Sequence, residues 1–185
     1  MFCVDLVLQT ADTDPAADGW LQPLVARVAA LAGVGAGRLN LALVDDRTME
    51  RLHEQYCGVR GTTDVLTFDL RDSPDELLEG DLALCVDEAA RQGAQHGHPA
   101  RVELLLYAVH GLLHLLGHDD RDPRAAAAMH RREDELLRAA GVGAVFDRSD
   151  LRALRREVGG TPGHRVPRRG LQARNPSSRG FEKPS

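Results

Sequence analysis

Aromatic side chains are scarce in this sequence, since Phe, Trp and Tyr make up only 4% of its 185 residues. Hydrophobic residues still reach 43%, enough for a core of mainly Leu, Val and Ala. No run approaches the roughly 18 apolar residues that a membrane-spanning helix requires. The first residues contain no basic segment followed by an apolar stretch, so a secretory signal is not expected. The sequence therefore predicts a cytoplasmic protein that does not contact a membrane.

Paired cysteines are also missing. The three cysteines, Cys3, Cys57 and Cys85, are odd in number and far apart in the chain. A disulfide framework is therefore not expected, and a reducing cytosol is the default environment. None of the three has a partner at metal-ligand spacing, so we do not predict a cysteine metal site.

The net charge is negative over the body of the chain and positive at its end. Residues 151–185 contain nine basic and two acidic residues, a net charge of +7, whereas the whole chain carries −5. Residues 1–150 thus carry −12, which is unusual for a nonspecific nucleic-acid binder. We predict a domain over 1–150 and a basic, disordered tail over 151–185. The tail has the charge to attract phosphates.

Apolar periodicity over 1–150 predicts alternating strands and helices. Alternation indicates a strand at Phe2 to Leu8, and helical spacing follows between about residues 15 and 32. Further elements in the order strand, helix, strand, strand and three helices reach about Ala140, and Asp45-Asp46 and Asp122-Pro123 have the character of helix starts. This order predicts an α/β (α+β) domain with a small mixed four-stranded sheet and about five helices.

The most informative segment contains two histidines four residues apart in an apolar helix. His110 and His114 at this spacing lie about 40° apart around the helix axis and about 6 Å apart along it, so both imidazoles can reach one ion. Burying two unpartnered imidazoles would be costly. Gly117 can end the helix and bring Asp120 back over the histidines. We predict that His110, His114 and Asp120 bind a divalent metal with positions left open for substrate, as in catalytic sites.

The spacing is close to that of metzincin proteases, but one residue differs. Those enzymes need a Glu directly after the first His as general base, and this sequence has Gly111 there. Peptide hydrolysis by that route is therefore disfavoured. Other metal-dependent hydrolysis is not, because a metal ion itself lowers the pKa of water that it binds.

At these residues the sequence resembles the YbeY family of bacterial endoribonucleases, which act as rRNA maturation factors. The family signature H-G-x-L-H-L-x-G-Y-D-H is similar to the segment His110 to Asp120. The segment Thr63 to Phe68 resembles the family's T-D-V-L-S-F strand, and Gly80-Asp81-Leu82 resembles its G-D-[IV] strand. The helix from Met129 to Leu137 is similar as well, and the blocks together cover about Leu39 to Gly141.

The resemblance implies a single-strand-specific, metal-dependent endoribonuclease, with one Zn²⁺ per chain as the expected cofactor. It also implies maturation of the 16S rRNA 3′ end and ribosome quality control in the cytoplasm. The implied partners are single-stranded RNA, the 16S rRNA precursor and the small ribosomal subunit.

Two residues depart from the family signature in the metal segment. The family's third ligand is His, and here the position is Asp120, a carboxylate that zinc also accepts. This harder ligand would weaken selectivity for zinc and admit Mn²⁺ or Fe²⁺. His118 occupies the family's Tyr position, where we expect it to lie beside the ligands and hydrogen-bond or relay protons rather than bind the metal.

A third departure concerns the cation that would bind the substrate phosphate. Family members usually place an Arg directly after the Tyr matching Tyr56, but Cys57 stands there and the nearest Arg is Arg60. A guanidinium near the metal would hold the scissile phosphate and stabilise transition-state charge. Arg60 is therefore the candidate phosphate clamp, with a solvated loop residue as the other interpretation.

Two further functions stay open at this point. One is a metallopeptidase of metzincin-like spacing, against which Gly111 argues. The other is a non-catalytic ribosome assembly factor whose metal is structural. The sequence indicates neither the RNA sequence preferred nor the oligomeric state.

Overall fold

The structure, a computed structural model, describes residues 1–8, 19–142 and 171–172. Its elements follow the chain as β1 (Phe2–Leu8), α1 (Leu21–Leu31), β2 (Gly37–Val44), α2 (Asp46–Cys57), β3 (Val65–Asp69), β4 (Leu78–Cys85), α3 (Val86–His96), α4 (Ala100–Leu115), α5 (Pro123–Ala139) and β5 (Leu171–Gln172). The order predicted from the sequence is confirmed up to α5. Helix α1 begins at Leu21, later than expected.

The strands form one mixed sheet in the order β1-β2-β4-β3-β5. Strands β1, β2 and β4 are parallel, and β3 runs antiparallel to β4. The predicted mixed α/β architecture with four strands is thus confirmed. The two-residue strand β5 adds a parallel partner to β3 and comes from the segment predicted as a disordered tail. The rest of 151–185 lies outside the described residues, so the division at residue 150 stays a prediction.

Helices cover both faces of the sheet, because the strand residues alternate between two apolar clusters. Leu39, Leu41 and Leu43 of β2 pack in the larger cluster, which contains residues of α1, α4 and α5. Ala42 and Val44 point the other way, into a smaller cluster with residues of α2. The sheet therefore lies between α2 on one side and α4 with its neighbours on the other.

Helix α4 is the central helix of the larger layer. Every residue from Glu103 to Leu115 is buried. It packs on α1, α3 and α5 as well as on strands β3 and β4. A helix apolar on nearly all sides is expected in this position. The polar side chains on it, Glu103, His110 and His114, are consequently held in fixed surroundings.

Acidic residues cap two of the helices as the sequence predicts. The carboxylate of Asp45 accepts a hydrogen bond from the Thr48 backbone N–H at the start of α2. Asp122 accepts from the backbone of Arg124 and Ala125 at the start of α5. The Asp122 cap fixes where α5 begins after the loop that carries Asp120. Among the described residues, no helix is long and apolar enough to cross a membrane.

Candidate metal centre

The two histidines of α4 face each other in the buried part of the helix. Their Nε2 atoms lie 3.1 Å apart, and their ring centroids are 4.7 Å apart in an edge-on arrangement. Both side chains are buried, at 6% exposure for His110 and 4% for His114. Two buried Nε2 atoms at this separation require a proton or a cation between them, because two lone pairs would repel each other.

A turn after α4 brings the third predicted residue to the same point. Gly117 has a φ of +87°, a conformation that glycine adopts without strain, and the chain reverses there. Asp120 Oδ2 then lies 3.6 Å from His110 Nε2, and Oδ1 lies 3.8 Å from His114 Nε2. The structure thus brings His110, His114 and Asp120 together.

The three residues fit a single zinc-type ion. One ligand atom from each lies within 4.8 Å of the other two. Ligand atoms about 2.0–2.2 Å from a tetrahedral ion lie about 3.3–3.6 Å apart, close to the observed separations. Two imidazole nitrogens and one carboxylate oxygen are a donor set that zinc accepts, with room for a non-protein ligand.

The other nitrogen of each imidazole ring has an oxygen partner. His110 Nδ1 lies 2.6 Å from Oε1 of Glu133 on α5, and His114 Nδ1 lies 3.1 Å from the carbonyl oxygen of His118. If each Nδ1 carries the proton that it donates, each Nε2 lone pair is directed at the shared point. This arrangement is typical of histidines that ligate metals.

Glu133 and Asp64 are site residues that the sequence analysis missed. Glu133 is buried on α5 at a position that shares helical spacing with Met129 and Leu137. A carboxylate in an apolar stripe requires a partner, so this spacing was a usable signal. Asp64 precedes β3, is also buried, and accepts a hydrogen bond from the Val65 backbone N–H. No pattern in the sequence indicated that the charge of Asp64 acts on His110 of α4.

The surroundings shift the two histidines in opposite directions. Burial by itself lowers the pKa of His110, but the hydrogen bond and charge of Glu133, with the charges of Asp64 and Asp120, raise it above its ordinary value. Burial, followed by the charge of His110, lowers the pKa of His114, and Asp120 opposes this only in part. In the metal-free pair a proton is therefore favoured on His110 over His114.

Gly111 packs closely against the sheet. It also occupies the position where a protease would carry its general base. A Cβ atom there would lie 2.7 Å from Leu82 Cδ2 and 3.0 Å from Thr67 Oγ1 on the sheet. A Glu at this position would point into the sheet, against Leu82 and Thr67. The packing around residue 111 is therefore a second argument against a metzincin-type base, in addition to the missing Glu side chain.

The other residues named from the sequence, Arg60, Cys57 and His118, are all more exposed than the two buried histidines. Arg60 has a side chain that is 89% exposed and pairs with Glu54 at 3.2 Å. Cys57 closes α2, and its half-buried side chain packs against the smaller apolar cluster. His118 is exposed and contributes its backbone carbonyl to the site through His114.

Comparison with known proteins identifies the family of this chain. The sequence profile of the family Endoribonuclease YbeY matches residues 8–141. The chain belongs to the YbeY family. The resemblance inferred from the sequence motifs is thereby confirmed.

Individual relatives carry the same family name. A protein of Gloeobacter violaceus named Endoribonuclease YbeY is 37% identical over 152 residues, which are 78% of this chain and 77% of the relative. One of Moorella thermoacetica with that name is 41% identical over 130 residues, 65% of this chain and 82% of the relative. The solution structure of TM1509 from Thermotoga maritima covers 88% of this chain and 99% of its own, with a TM-score of 0.54 and 21% identity. The last comparison supports the fold alone.

Proposed function

We propose that this chain is a single-strand-specific, metal-dependent endoribonuclease. The observation that carries the proposal is the buried cluster of His110, His114 and Asp120, in which both Nδ1 atoms are hydrogen-bonded and both Nε2 atoms converge. Membership in a family named for endoribonucleases supports RNA as the substrate class.

The cluster and the residues around it would divide three tasks. His110, His114 and Asp120 would hold the ion, with zinc as the first candidate and Mn²⁺ or Fe²⁺ admitted by the carboxylate. The bound ion would supply a Lewis acid that polarises the phosphoryl group and acidifies water. Glu133 would hold the His110 ring in the ligating orientation. Arg60, on the exposed loop after α2, would hold the RNA phosphate if it exchanges Glu54 for substrate.

The test is cleavage of single-stranded RNA by the purified chain, with and without a chelator. We expect cleavage to stop on chelation, to return with added Zn²⁺ or Mn²⁺, and to be lost in His114→Ala. A double-stranded RNA of the same sequence should resist cleavage. Cleavage that survives both chelation and His114→Ala would defeat the proposal.

The cellular role is proposed on the resemblance to the family. We propose that the chain acts in the cytoplasm on the 16S rRNA precursor within the small ribosomal subunit, in 3′-end maturation and quality control. Cells depleted of the protein should accumulate 16S precursors with unprocessed 3′ ends, and His114→Ala should not restore processing. Restoration by that variant, with no nuclease activity in vitro, would favour a non-catalytic assembly factor.

A further inference from the structure

A second cluster of metal-ligand type lies where α3 turns into α4. His96 ends α3, His98 follows the turn at Gly97, and Glu103 stands in the first turn of α4. His96 Nδ1 lies 3.1 Å from Glu103 Oε1, and His98 Nε2 lies 3.2 Å from the same oxygen. One ligand atom from each of the three residues lies within 4.8 Å of the other two. The proposed nuclease site uses none of these residues.

We propose that His96, His98 and Glu103 form a second, independent binding site for a divalent transition metal of the zinc class. The donor set is two imidazole nitrogens and one carboxylate oxygen, and the two N···O distances approach the spacing of about 3.3 Å between ligands of a tetrahedral zinc ion. The site is distinct from the first cluster, because the two share no ligand.

The burial of Glu103 is the first argument for a cation here. Its side chain is fully buried, whereas His96 and His98 keep side-chain exposures of 31% and 13%. Buried carboxylates are normally paired with positive charge or bound to metal. Both imidazoles are partly exposed, so an ion can reach their nitrogens beside the carboxylate from solvent.

The orientation of His98 is the second argument. Its Nε2 lies 3.2 Å from the buried Glu103 Oε1, and its Nδ1 lies 3.4 Å from the backbone carbonyl of Pro99. An ion bound between Nε2 and Oε1 would take the place of the proton that otherwise joins these two atoms. Nδ1 would then keep its own proton on the side of the Pro99 carbonyl.

The two clusters are separate mononuclear sites. Glu103 and His110 are seven residues apart on α4, which corresponds to two turns and about 10 Å along the axis. Metals that act together on one phosphate lie about 3.5–4 Å apart. An ion at the second site would instead join the end of α3 to the first turn of the helix that carries His110 and His114.

Metal counting on the full chain tests the proposal with Zn²⁺ and Co²⁺ as probes. The double variant His110→Ala/His114→Ala removes the first site, and adding His96→Ala to it removes the second. After equilibrium dialysis we expect about two ions per chain in the native protein, about one in the double variant and none in the triple variant. His96 is chosen because its half-exposed side chain is less needed for folding than Glu103.

Two further measurements distinguish the loss of metal binding from other effects of the substitutions. In the double variant Co²⁺ should produce the visible absorption of a tetrahedral site, and Zn²⁺ should raise the melting temperature; both effects should vanish with His96→Ala. Arg101→Ala, an exposed change in the first turn of α4, is the matched control and should retain both. A well-folded double variant that binds no metal would overturn the proposal, as would binding that His96→Ala leaves unchanged. The readouts do not depend on nuclease activity, so failure of either proposal is visible separately.

Discussion

The 2.6 Å contact between His110 Nδ1 and Glu133 Oε1 joins the helix of the candidate metal centre to the helix that follows it. Both groups are buried, so the contact fixes the imidazole ring with little competition from water. The other oxygen of Glu133 is buried with no hydrogen-bond partner among the described residues. A carboxylate held in this way is stabilised chiefly by the positive character of His110, which a bound metal increases.

Replacing this carboxylate should weaken metal binding. We expect Glu133→Gln to lower the affinity for Zn²⁺ about 10-fold to 100-fold, because the neutral amide orients His110 less firmly and does not increase its basicity. Competition with a chromophoric chelator measures the change. Glu135→Gln on the exposed side of α5 is the matched control and should bind zinc as the native chain does. Equal affinities in the two variants would contradict a role for Glu133.

The opposite pKa shifts of the two histidines predict proton release on metal binding. The pKa of metal-free His110 is raised by Glu133 against the effect of burial, so this ring keeps a proton to higher pH than an ordinary histidine. The lowered pKa of His114 leaves that ring neutral. Zinc binding at a pH below the raised pKa of His110 should therefore release the proton that this ring holds, and affinity should fall as the pH drops. Calorimetry in buffers of different ionisation enthalpy measures the release, and zinc binding without any proton release would contradict the assignment.

The turn that positions Asp120 can be tested through its glycine. Gly117→Ala places a side chain at φ +87° and should cost about 1–2 kcal/mol of unfolding free energy. Because the strain is relieved by shifting the turn, zinc affinity should fall as well. Gly141→Ala is the matched control, since its φ is +81°, it too has open space around a Cβ, and it follows α5. The two variants should lose similar stability, with zinc affinity changed only in Gly117→Ala. A similar fall in affinity in both would show that the effect is global.

The sequence predicted those parts of the site that depend on local geometry. Helical spacing alone places His110 and His114 side by side, and the glycine turn accounts for the return of Asp120. The partners Glu133 and Asp64 come from other elements, and their approach depends on how α5 and β3 pack against α4. Such long-range packing leaves no fixed spacing in the sequence, although a buried acid on the apolar face of α5 hints at it.

The helix caps and the strand order show the same contrast between local geometry and long-range packing. Asp45 and Asp122 were predictable as caps because the acceptor lies within three residues of the donors. Asp87 lies in the first turn of α3, but its carboxylate accepts from the Asp46 backbone N–H, 41 residues away in the chain. The sheet order puts β4 between β2 and β3, which follows from the crossover after β2 and not from any local pattern.

The three free cysteines should differ strongly in reactivity. Burial raises the pKa of Cys85 to about 12, and its side chain is fully buried, whereas Cys3 is exposed. Burial also raises the pKa of half-buried Cys57. At pH 8 iodoacetamide should therefore modify Cys3 first, Cys57 slowly and Cys85 only in denaturant. Peptide mass spectrometry over time gives the order, and rapid labelling of native Cys85 would contradict the packing of β4 against α2.

Arg60 provides the sharpest test of how substrate is held. Its ion pair with Glu54 joins two exposed side chains, so it contributes little to stability and is easily exchanged for a phosphate. If Arg60 holds the scissile phosphate, Arg60→Ala should lower kcat/KM for single-stranded RNA about 100-fold to 1000-fold with folding unchanged. Glu54→Gln should keep or increase activity because it frees the guanidinium. Arg51→Ala, which removes an exposed charge from the preceding helix α2, is the control and should change little. Full activity in Arg60→Ala would mean that Arg60 is a solvated loop residue and that another cation balances the phosphate.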